Sequence, residues 1–335
     1  MVARHLYSRI GSIGLLLVGC AALYGQPAAL PALSGSDWKS SFEAGRKLQS
    51  EGELDEAENA FVAALKTAER FGTSDVRLGA TLNTLALLYH SRGSYSAAEP
   101  LYLRAASALE ESLGPNHVGV AKVLSSLSAL YLTQQRSAAA RPVAERRLRL
   151  LEAADNASPD DMVDALNQLS LVEFLEGQFE GAENYQVRAL AILEAEPQRN
   201  RAAITEGISN LGVIHAAAGR YSEAAKDLEE ALALRRQMND RDSIASARDK
   251  GSLAEAYADR FHFAHAERLA NESLARRREL LEPNHAEVAT ALNSRGPFVV
   301  GQPRTEQTEG QGVNFTIDGA RGAGPSAALA QGDAS

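Results

Sequence analysis

Residues 80–111 read ATLNTLALLYHSRGSYSAAEPLYLRAASALEE and contain the pattern that decides the fold. In the first half, Leu82, Leu85 and Tyr89 are spaced so that they fall on one face of a helix. Gly93 then offers a backbone conformation suited to ending that helix. A second apolar stripe with helical spacing follows, made of Ala98, Leu101, Tyr102 and Ala105. The stretch therefore predicts two helices joined by a tight turn.

This pattern returns every 42 residues along the chain. A leucine recurs in the first half of each unit, at Leu85, Leu127, Leu169, Leu211 and Leu253. An alanine recurs in the second half, at Ala98, Ala140, Ala182, Ala224 and Ala266. A further unit upstream, around Gly52 and Ala57, fits with a step of 41 residues. A fixed period of this length predicts an array of stacked helix pairs.

The unit resembles the signature of the tetratricopeptide repeat family, met here by Leu85, Ala86, Tyr89, Gly93, Tyr95, Ala98 and Ala105. Its period is longer than the usual one of about 34 residues. In this it is similar to the kinesin-light-chain subtype, whose units also read LNxLALLY. The resemblance implies an all-α, right-handed α-solenoid of about six helix-turn-helix repeats over residues 39–295. The last repeat is expected to be incomplete, because Arg295 falls in the leucine column and Gly296-Pro297 follow.

The tripeptide Pro-Asn-His occurs twice, at residues 115–117 and 283–285, four periods apart. Its asparagine position holds a short polar residue in every intervening unit: Asn116, Ser158, Asn200, Asp242 and Asn284. Such residues cap helix N-termini. We therefore expect the two asparagines to cap the helices that follow, with Glu287 completing a capping box. The adjacent histidines are expected to be incidental.

The composition and the motifs point away from enzymatic chemistry. The net charge of −9 carries no basic footprint for nucleic acid. Phosphate-binding loops, GxSxG and HExxH motifs are absent from the sequence. His262 and His265 are two candidate ligands and do not define a metal site, while His215 replaces a tyrosine of the repeat and is expected to pack. Arginine clusters near residues 146–149, 235–236 and 276–278 are expected to complement helix C-termini. We predict no cofactor, no metal and no catalytic residue.

The two ends of the chain differ from the array. Residues 1–20 have a charged start, a short apolar run and a terminal Leu17-Val18-Gly19-Cys20, which resembles the lipobox of bacterial lipoproteins. Cleavage after Ala21 is the alternative. Residues 21–38 are predicted to be a flexible tether, and residues 296–335 a low-complexity, disordered tail. The protein is therefore expected to be exported to the periplasm or cell envelope, with a lipid anchor on Cys20. The tail is genuine, or it arises from truncation or an altered reading frame.

The first helices of such an array are expected to line a concave groove. The candidate groove residues are Asn83, Leu87, His90, Ser125, Asn167, Leu171, Phe174, Ser209, Asn210 and Val213. In the kinesin-light-chain subtype, asparagines in these columns form a ladder that bonds a partner's backbone. The apolar members predict a groove that is largely apolar in its middle. The basic clamp that some family members use for acidic C-termini is not evident at the corresponding positions: Ala80, Lys122, Asp164, Glu206 and Arg248.

The sequence thus predicts a non-enzymatic scaffold that binds a partner peptide or helix along its concave face. Nucleic acid is not an expected partner. One alternative is an accessory repeat protein in which His90, Phe174 and the asparagine column line a closed small-molecule pocket. Another is a structural array that self-associates through its incomplete last repeat.

Overall fold

The computed structural model describes residues 36–295, which form thirteen α-helices and no strand. The first helices of the repeats are α1 (Ser36–Glu51), α3 (Val76–Ser91), α5 (Val118–Thr133), α7 (Pro159–Leu175), α9 (Arg201–Ala217), α11 (Ile244–Asp259) and α13 (Ala286–Arg295). The second helices are α2 (Leu54–Glu69), α4 (Tyr95–Leu113), α6 (Ser137–Glu152), α8 (Phe179–Leu193), α10 (Tyr221–Gln237) and α12 (Phe263–Leu280). The prediction of an all-α array of six helix pairs, followed by half of a seventh, is confirmed.

In each of the six pairs, the first helix packs most extensively against the second helix of its own pair. Small side chains allow this close approach, since Ala86 and Ala98 are both fully buried where α3 meets α4. The array begins at Ser36, three residues before its predicted start, and Trp38 explains why. Its ring is buried and its indole Nε1 donates to the hydroxyl of Thr81 at 2.9 Å, which ties α1 to the second repeat.

The turns inside the pairs use a left-handed residue. Gly93 has a φ of 72°, as expected for a glycine that ends a helix. Two pairs have other residues at this position, with φ values of 57° for Gln135 and 63° for Phe261. An aromatic residue in this region is strained. Phe261 is also 80% exposed, so no burial of its ring offsets the strain.

The histidines of the two Pro-Asn-His copies are the N-caps of the helices that follow, which corrects the prediction. His117 Nδ1 accepts a hydrogen bond from the N–H of Gly119 at 3.0 Å, and His285 Nδ1 accepts from Glu287 at 3.2 Å. α5 and α13 begin one residue later than the asparagine pattern predicts, so the cap falls on the histidine. Glu287 forms no capping box, because its carboxylate is engaged with Arg248.

Successive repeats are joined by polar contacts between a second helix and the next first helix. The Tyr89 hydroxyl donates to Glu58 Oε1 at 2.6 Å, and Arg92 binds the other oxygen of that carboxylate at 2.6 Å. Tyr131 and Glu99 repeat this contact at 2.9 Å one unit later. These bonds hold adjacent repeats in register.

His215 occupies the tyrosine position of the fifth repeat, and its environment is ionic. Its Nδ1 lies 2.6 Å from Asp227 Oδ2 and its Nε2 lies 3.3 Å from Glu183 Oε1. The side chain is buried. The packing role predicted for His215 is therefore incomplete, because the imidazole bridges acidic side chains of α8 and α10.

The first helices lie on the inner side of the stack. α3 contacts α5, α5 contacts α7, α9 contacts α11 and α11 contacts α13, whereas consecutive second helices make no comparable contact within residues 36–295. Helices that approach one another more closely form the concave surface of a solenoid. None of the thirteen helices has the length and apolar character needed to span a bilayer.

Candidate inner-face site

The predicted groove residues divide into two groups in the structure. Six are half-buried, on the more open side of the first helices: Asn83, Leu87, Ser125, Asn167, Asn210 and Val213. Four are buried: His90, Leu171, Phe174 and Ser209. The open side of the first helices therefore carries mainly polar and small side chains.

The buried aromatic members belong to the interior of the repeats. The His90 ring packs edge-on against Tyr95 and Tyr102, and burial lowers its pKa. Phe174 packs edge-on against Phe179 with ring centroids 5.7 Å apart. Leu171 and Phe174, two of the apolar side chains predicted for the middle of the groove, are therefore buried, whereas Leu87 and Val213 remain half-buried on the open side.

The amide columns are largely hydrogen-bonded within the protein. Asn167 Oδ1 accepts from Gln186 Nε2 at 3.2 Å, and Ser125 donates to Asp164 at 3.1 Å. Asn83 differs, because its Oδ1 is buried without a hydrogen-bond partner. An unpaired acceptor costs about 1–3 kcal/mol. Asn83 is thus the ladder residue whose bonding capacity stays unused.

A cleft opens at the C-terminal end of the inner face, between α9, α11, α12 and α13. Its walls include Glu206, Asp249, Gly251 and Arg277. The solvent space inside it is about 50 Å³. Sites that enclose drug-sized ligands are several times larger, at roughly 300–1,000 Å³. The cleft has room for the tip of a side chain rather than for a whole small molecule.

Behind one wall of the cleft lies a buried arginine that forms ion pairs with three carboxylates. Arg235 is 5% exposed, and its Nε lies 2.6 Å from Asp249 Oδ2. Its two terminal nitrogens lie 2.8 Å from Glu206 and 3.0 Å from Asp240. One guanidinium thus neutralises only one of three acidic groups, which leaves this cluster with an excess of negative charge.

The charge balance of this cluster shifts the acid–base behaviour of its members. Burial raises the pKa of Asp249 to about 6, and the attraction of Arg235 only partly opposes it. Burial would lower the pKa of Arg235, but Asp249 and Glu206 outweigh that effect and raise it. The pKa of Asp249 is thus raised mainly by burial, and the negative charge of Glu206, which shares the same cation, adds to the effect.

The column expected to correspond to a partner clamp serves internal ion pairs instead. Arg248 holds Glu287 through two contacts, at 2.5 and 3.2 Å. Glu206 binds Arg235 as described, and Asp164 lies 2.6 Å from the buried guanidinium of Arg147. These charges are therefore committed within the protein.

Arg277 forms the opposite wall of the cleft and has no such partner. It is 4% exposed, and its Nη1 donates to the backbone carbonyl of Glu287 at 3.1 Å. Its Nε is buried without an acceptor. Burial lowers the pKa of this guanidinium despite the nearby charge of Glu287. Among the described residues, Arg277 Nε and Arg147 Nε are the two buried guanidinium nitrogens without an acceptor, and only Arg277 lines the cleft.

These buried arginines were missed as site residues, although the sequence contains their signal. The same repeat column holds Leu109, Leu151 and Leu193, and then Arg235 and Arg277. They were assigned to helix ends from their position near the C-termini of α10 and α12. Comparing the equivalent positions of successive repeats, rather than the position along each helix, identifies these arginines as charged residues in core positions.

The histidines considered as metal ligands or as pocket residues all lie against aromatic rings. Among residues 36–295, no three histidine or acidic side chains are placed to hold a metal ion. His262 and His265 both lie against the Tyr257 ring, with centroids 5.8 and 5.9 Å away. The closed pocket expected from His90 and Phe174 does not form, because both are packed inside separate repeats.

Comparison with known proteins agrees with this architecture. The tetratricopeptide repeat model matches residues 44–111, 77–153, 161–237 and 200–279. No curated protein sequence matches the chain. The solved structure of BtubC (BKLC) from P. vanneervenii is similar, with a TM-score of 0.53 and 21% identity, covering 61% of this chain and 91% of that chain.

Two further solved structures share the fold. The repeats of a putative kinesin light chain from Podosopora anserina align with a TM-score of 0.52 and 18% identity, covering 63% of this chain and 99% of that chain. The apo form of RapI aligns with a TM-score of 0.58 and 13% identity, covering 77% and 94%. At these identities the likeness concerns the fold alone.

Proposed function

The chain belongs to the tetratricopeptide repeat family, and we propose that it is a non-enzymatic scaffold that holds a segment of a partner protein along its inner face. The fold is in general an interaction scaffold, because its first helices present one continuous surface that no single repeat offers. The partner is a peptide or a helix, and neither nucleic acid nor a cofactor is required.

The observation that carries this proposal is the unused bonding capacity along the inner face. Asn83 Oδ1 near one end and Arg277 Nε near the other are buried polar atoms without partners. Both belong to first-helix columns or to the cleft that those helices line. A bound segment with exposed backbone groups supplies donors and acceptors of the kind that such atoms lack.

The test is capture of partners by paired variants. Asn83→Ala combined with Asn167→Ala removes two amides of the ladder, and we expect capture to weaken about tenfold, a loss typical of one or two hydrogen bonds. Asn184→Ala with Asn271→Ala is the matched control, since both asparagines lie on second helices. Capture is measured by crosslinking from the native envelope. Equal capture by the two double variants would remove the inner face as the binding surface.

For the location of the protein, we propose export and a lipid anchor on Cys20, which rests on the sequence pattern alone. The predicted signal, Cys20 and residues 21–35 of the predicted tether lie outside the described residues, as does the predicted tail, whereas residues 36–38 of that tether belong to α1. Cys20→Ser should abolish labelling with a palmitate probe and release the protein from membranes. Ala21→Ser is the matched control and should keep both. Continued membrane association of the Cys20→Ser protein would contradict the anchor and favour ordinary cleavage nearby.

A further inference from the structure

One core column of the array changes its chemistry in the last two complete repeats. Leu109, Leu151 and Leu193 bury aliphatic side chains at this position. Arg235 and Arg277 occupy it in α10 and α12, and both are also buried. Burying a guanidinium costs several kcal/mol of desolvation free energy unless ion pairs with carboxylates offset it. The partners of each arginine therefore decide whether its burial is stable.

The two arginines differ in how far their charge is met. Arg235 has three carboxylate partners, whereas Arg277 has no carboxylate within ion-pair distance among residues 36–295. A backbone carbonyl satisfies one of its donors, and its Nε has no acceptor. A buried cation in this state is under-satisfied by at least one charge-assisted hydrogen bond.

The surroundings of Arg277 leave it within reach of the cleft. A Cβ added at Gly251 would lie 3.3 Å from Arg277 Nη2 and 3.1 Å from Ser273 Oγ. Earlier repeats carry a side chain at the position of Gly251, for example Asn83 and Asn167. Glycine here removes the side chain that would otherwise stand between the inner face and the guanidinium.

We propose that Arg277 binds the carboxylate of an aspartate or glutamate side chain that the partner segment inserts into this cleft. This rests on the proposed function, since it names what the inner face recognises at its C-terminal end. A guanidinium binds one carboxylate through two parallel hydrogen bonds. The space of about 50 Å³ fits the tip of an acidic side chain. A C-terminal carboxylate fits this space less well, because the backbone and side chain of the last residue would have to enter the cleft with it.

The neighbouring charges limit the ligand to a single negative charge. Glu206, Asp249 and Glu255 also line the cleft, together with Arg248, whose charge is met by Glu287. A phosphate group carries nearly two charges at neutral pH and would be repelled more strongly by these acids. The guanidinium therefore favours a carboxylate over a phosphoryl group here.

The experiment selects short random peptides with amidated C-termini on the full-length protein. We expect selected peptides to contain an acidic residue at one position, and its change from Glu to Gln to weaken binding about tenfold. In Arg277→Leu the ratio of the affinities for the Glu and the Gln peptide should fall to about one. Leucine removes the cation and keeps the apolar side chain found at this position in other repeats. Arg149→Leu, an exposed arginine on α6, is the matched control and should retain the ratio.

The outcomes distinguish a failure of the proposed function from a failure of the role of Arg277. If the protein selects no peptide, the proposed scaffold function fails, and this inference fails with it. If peptides bind but the Glu-to-Gln ratio is one in the wild type, or persists in Arg277→Leu, only the role of Arg277 is overturned. A preference for free over amidated C-termini would assign the site to a terminal carboxylate and overturn the side-chain assignment. Gly251→Ala, which narrows the cleft and keeps the cation, should weaken the same peptides, and unchanged binding would also count against the proposal.

Discussion

The first four repeats and the later repeats share one backbone plan but have different interiors. From Trp38 to Leu193 most buried apolar side chains form a single continuous core, while Phe174 and Ala182 of the fourth repeat cluster with Ile214. Beyond it the described residues contain three small clusters, around Leu228, Ile214 and Val288. The later repeats bury the charged side chains of Arg235, Asp249, Arg277 and Glu287, whereas the first four repeats bury those of Arg77 and Arg147.

The contrast shows at which positions the repeat fold requires one type of side chain and at which positions the side chain can vary. Ala98 and Ala224, from the two regions, are both fully buried at the contact between paired helices. The column on the inner side changes instead, from Leu193 to Arg235, and another changes from Ala165 to Asp249. Close helix contact is therefore needed everywhere, whereas an aliphatic inner column is one solution among others.

The largest effect should come from making the later region resemble the first. Arg235→Leu installs the residue that Leu193 provides one repeat earlier, yet we expect it to lower the free energy of unfolding by about 3–5 kcal/mol. The reason is that Glu206, Asp240 and Asp249 lose their shared cation. Urea unfolding monitored by circular dichroism measures the change.

Two further variants separate charge from shape in that experiment. Adding Asp249→Ala to Arg235→Leu should recover part of the loss, because it removes the most buried of the three carboxylates. Arg277→Leu should be neutral or stabilising, since no carboxylate is left unpaired. Equal destabilisation by Arg235→Leu and Arg277→Leu would mean that lost packing, and not lost pairing, dominates this column.

The second prediction concerns pH, where the two regions should respond with opposite sign. Because the folded pKa of Asp249 is raised from 3.8 to about 6, the folded protein binds this proton more tightly than the unfolded chain does. Its contribution is fully favourable below about pH 4 and is lost as the pH rises through 6. A shift of about two units corresponds to about 3 kcal/mol. We expect the stability difference between wild type and Asp249→Asn to fall by that amount between about pH 4 and pH 8.

The first region has the reverse dependence. Hydrogen bonds from Arg77 and Arg136 hold the pKa values of Asp75 and Glu99 below their usual range. The stability that these groups contribute is present at neutral pH and is lost as the pH falls through their lowered pKa values. Amide hydrogen exchange, measured separately for each repeat over a range of pH, reports the pH dependence of stability in both regions. A uniform response along the array would contradict the division into two regions.

The third prediction uses the two histidine caps, one in each region. His117→Ala removes the acceptor for the Gly119 N–H and should cost about 1 kcal/mol in global stability. His285→Ala removes the same bond from α13, which packs on one pair only. We expect it to speed local exchange in α13 with little effect on global unfolding. His117→Asn and His285→Asn are the matched controls, because asparagine also caps.

The sequence predicted the helices well and the polar chemistry poorly, for different physical reasons. Helical spacing and the 42-residue columns depend on local geometry, so Leu85, Gly93 and Ala98 identified the pairs and their turns. The caps were misplaced by one residue because the start of α5 depends on backbone angles that Asn116 and His117 both permit. The Arg235 cluster joins groups up to 29 residues apart in the chain, which only the packed repeats bring together.

The smallest expected effect tests whether the later region is strained as well as polar. Phe261 has a φ of 63° at a turn where Gly177 and Gly219 have 76° and 78°. A left-handed conformation costs an L-residue roughly 1 kcal/mol or more relative to glycine. Because the Phe261 ring is 80% exposed, its removal loses little burial. Phe261→Gly should therefore raise stability by about 0.5–1 kcal/mol, less than the strain alone because glycine also gains freedom in the unfolded chain.

Phe263→Ala, next to it but in α12, is the control that removes an exposed ring without changing a left-handed residue. A gain from Phe263→Ala equal to that from Phe261→Gly would show that ring exposure, and not backbone strain, limits this turn.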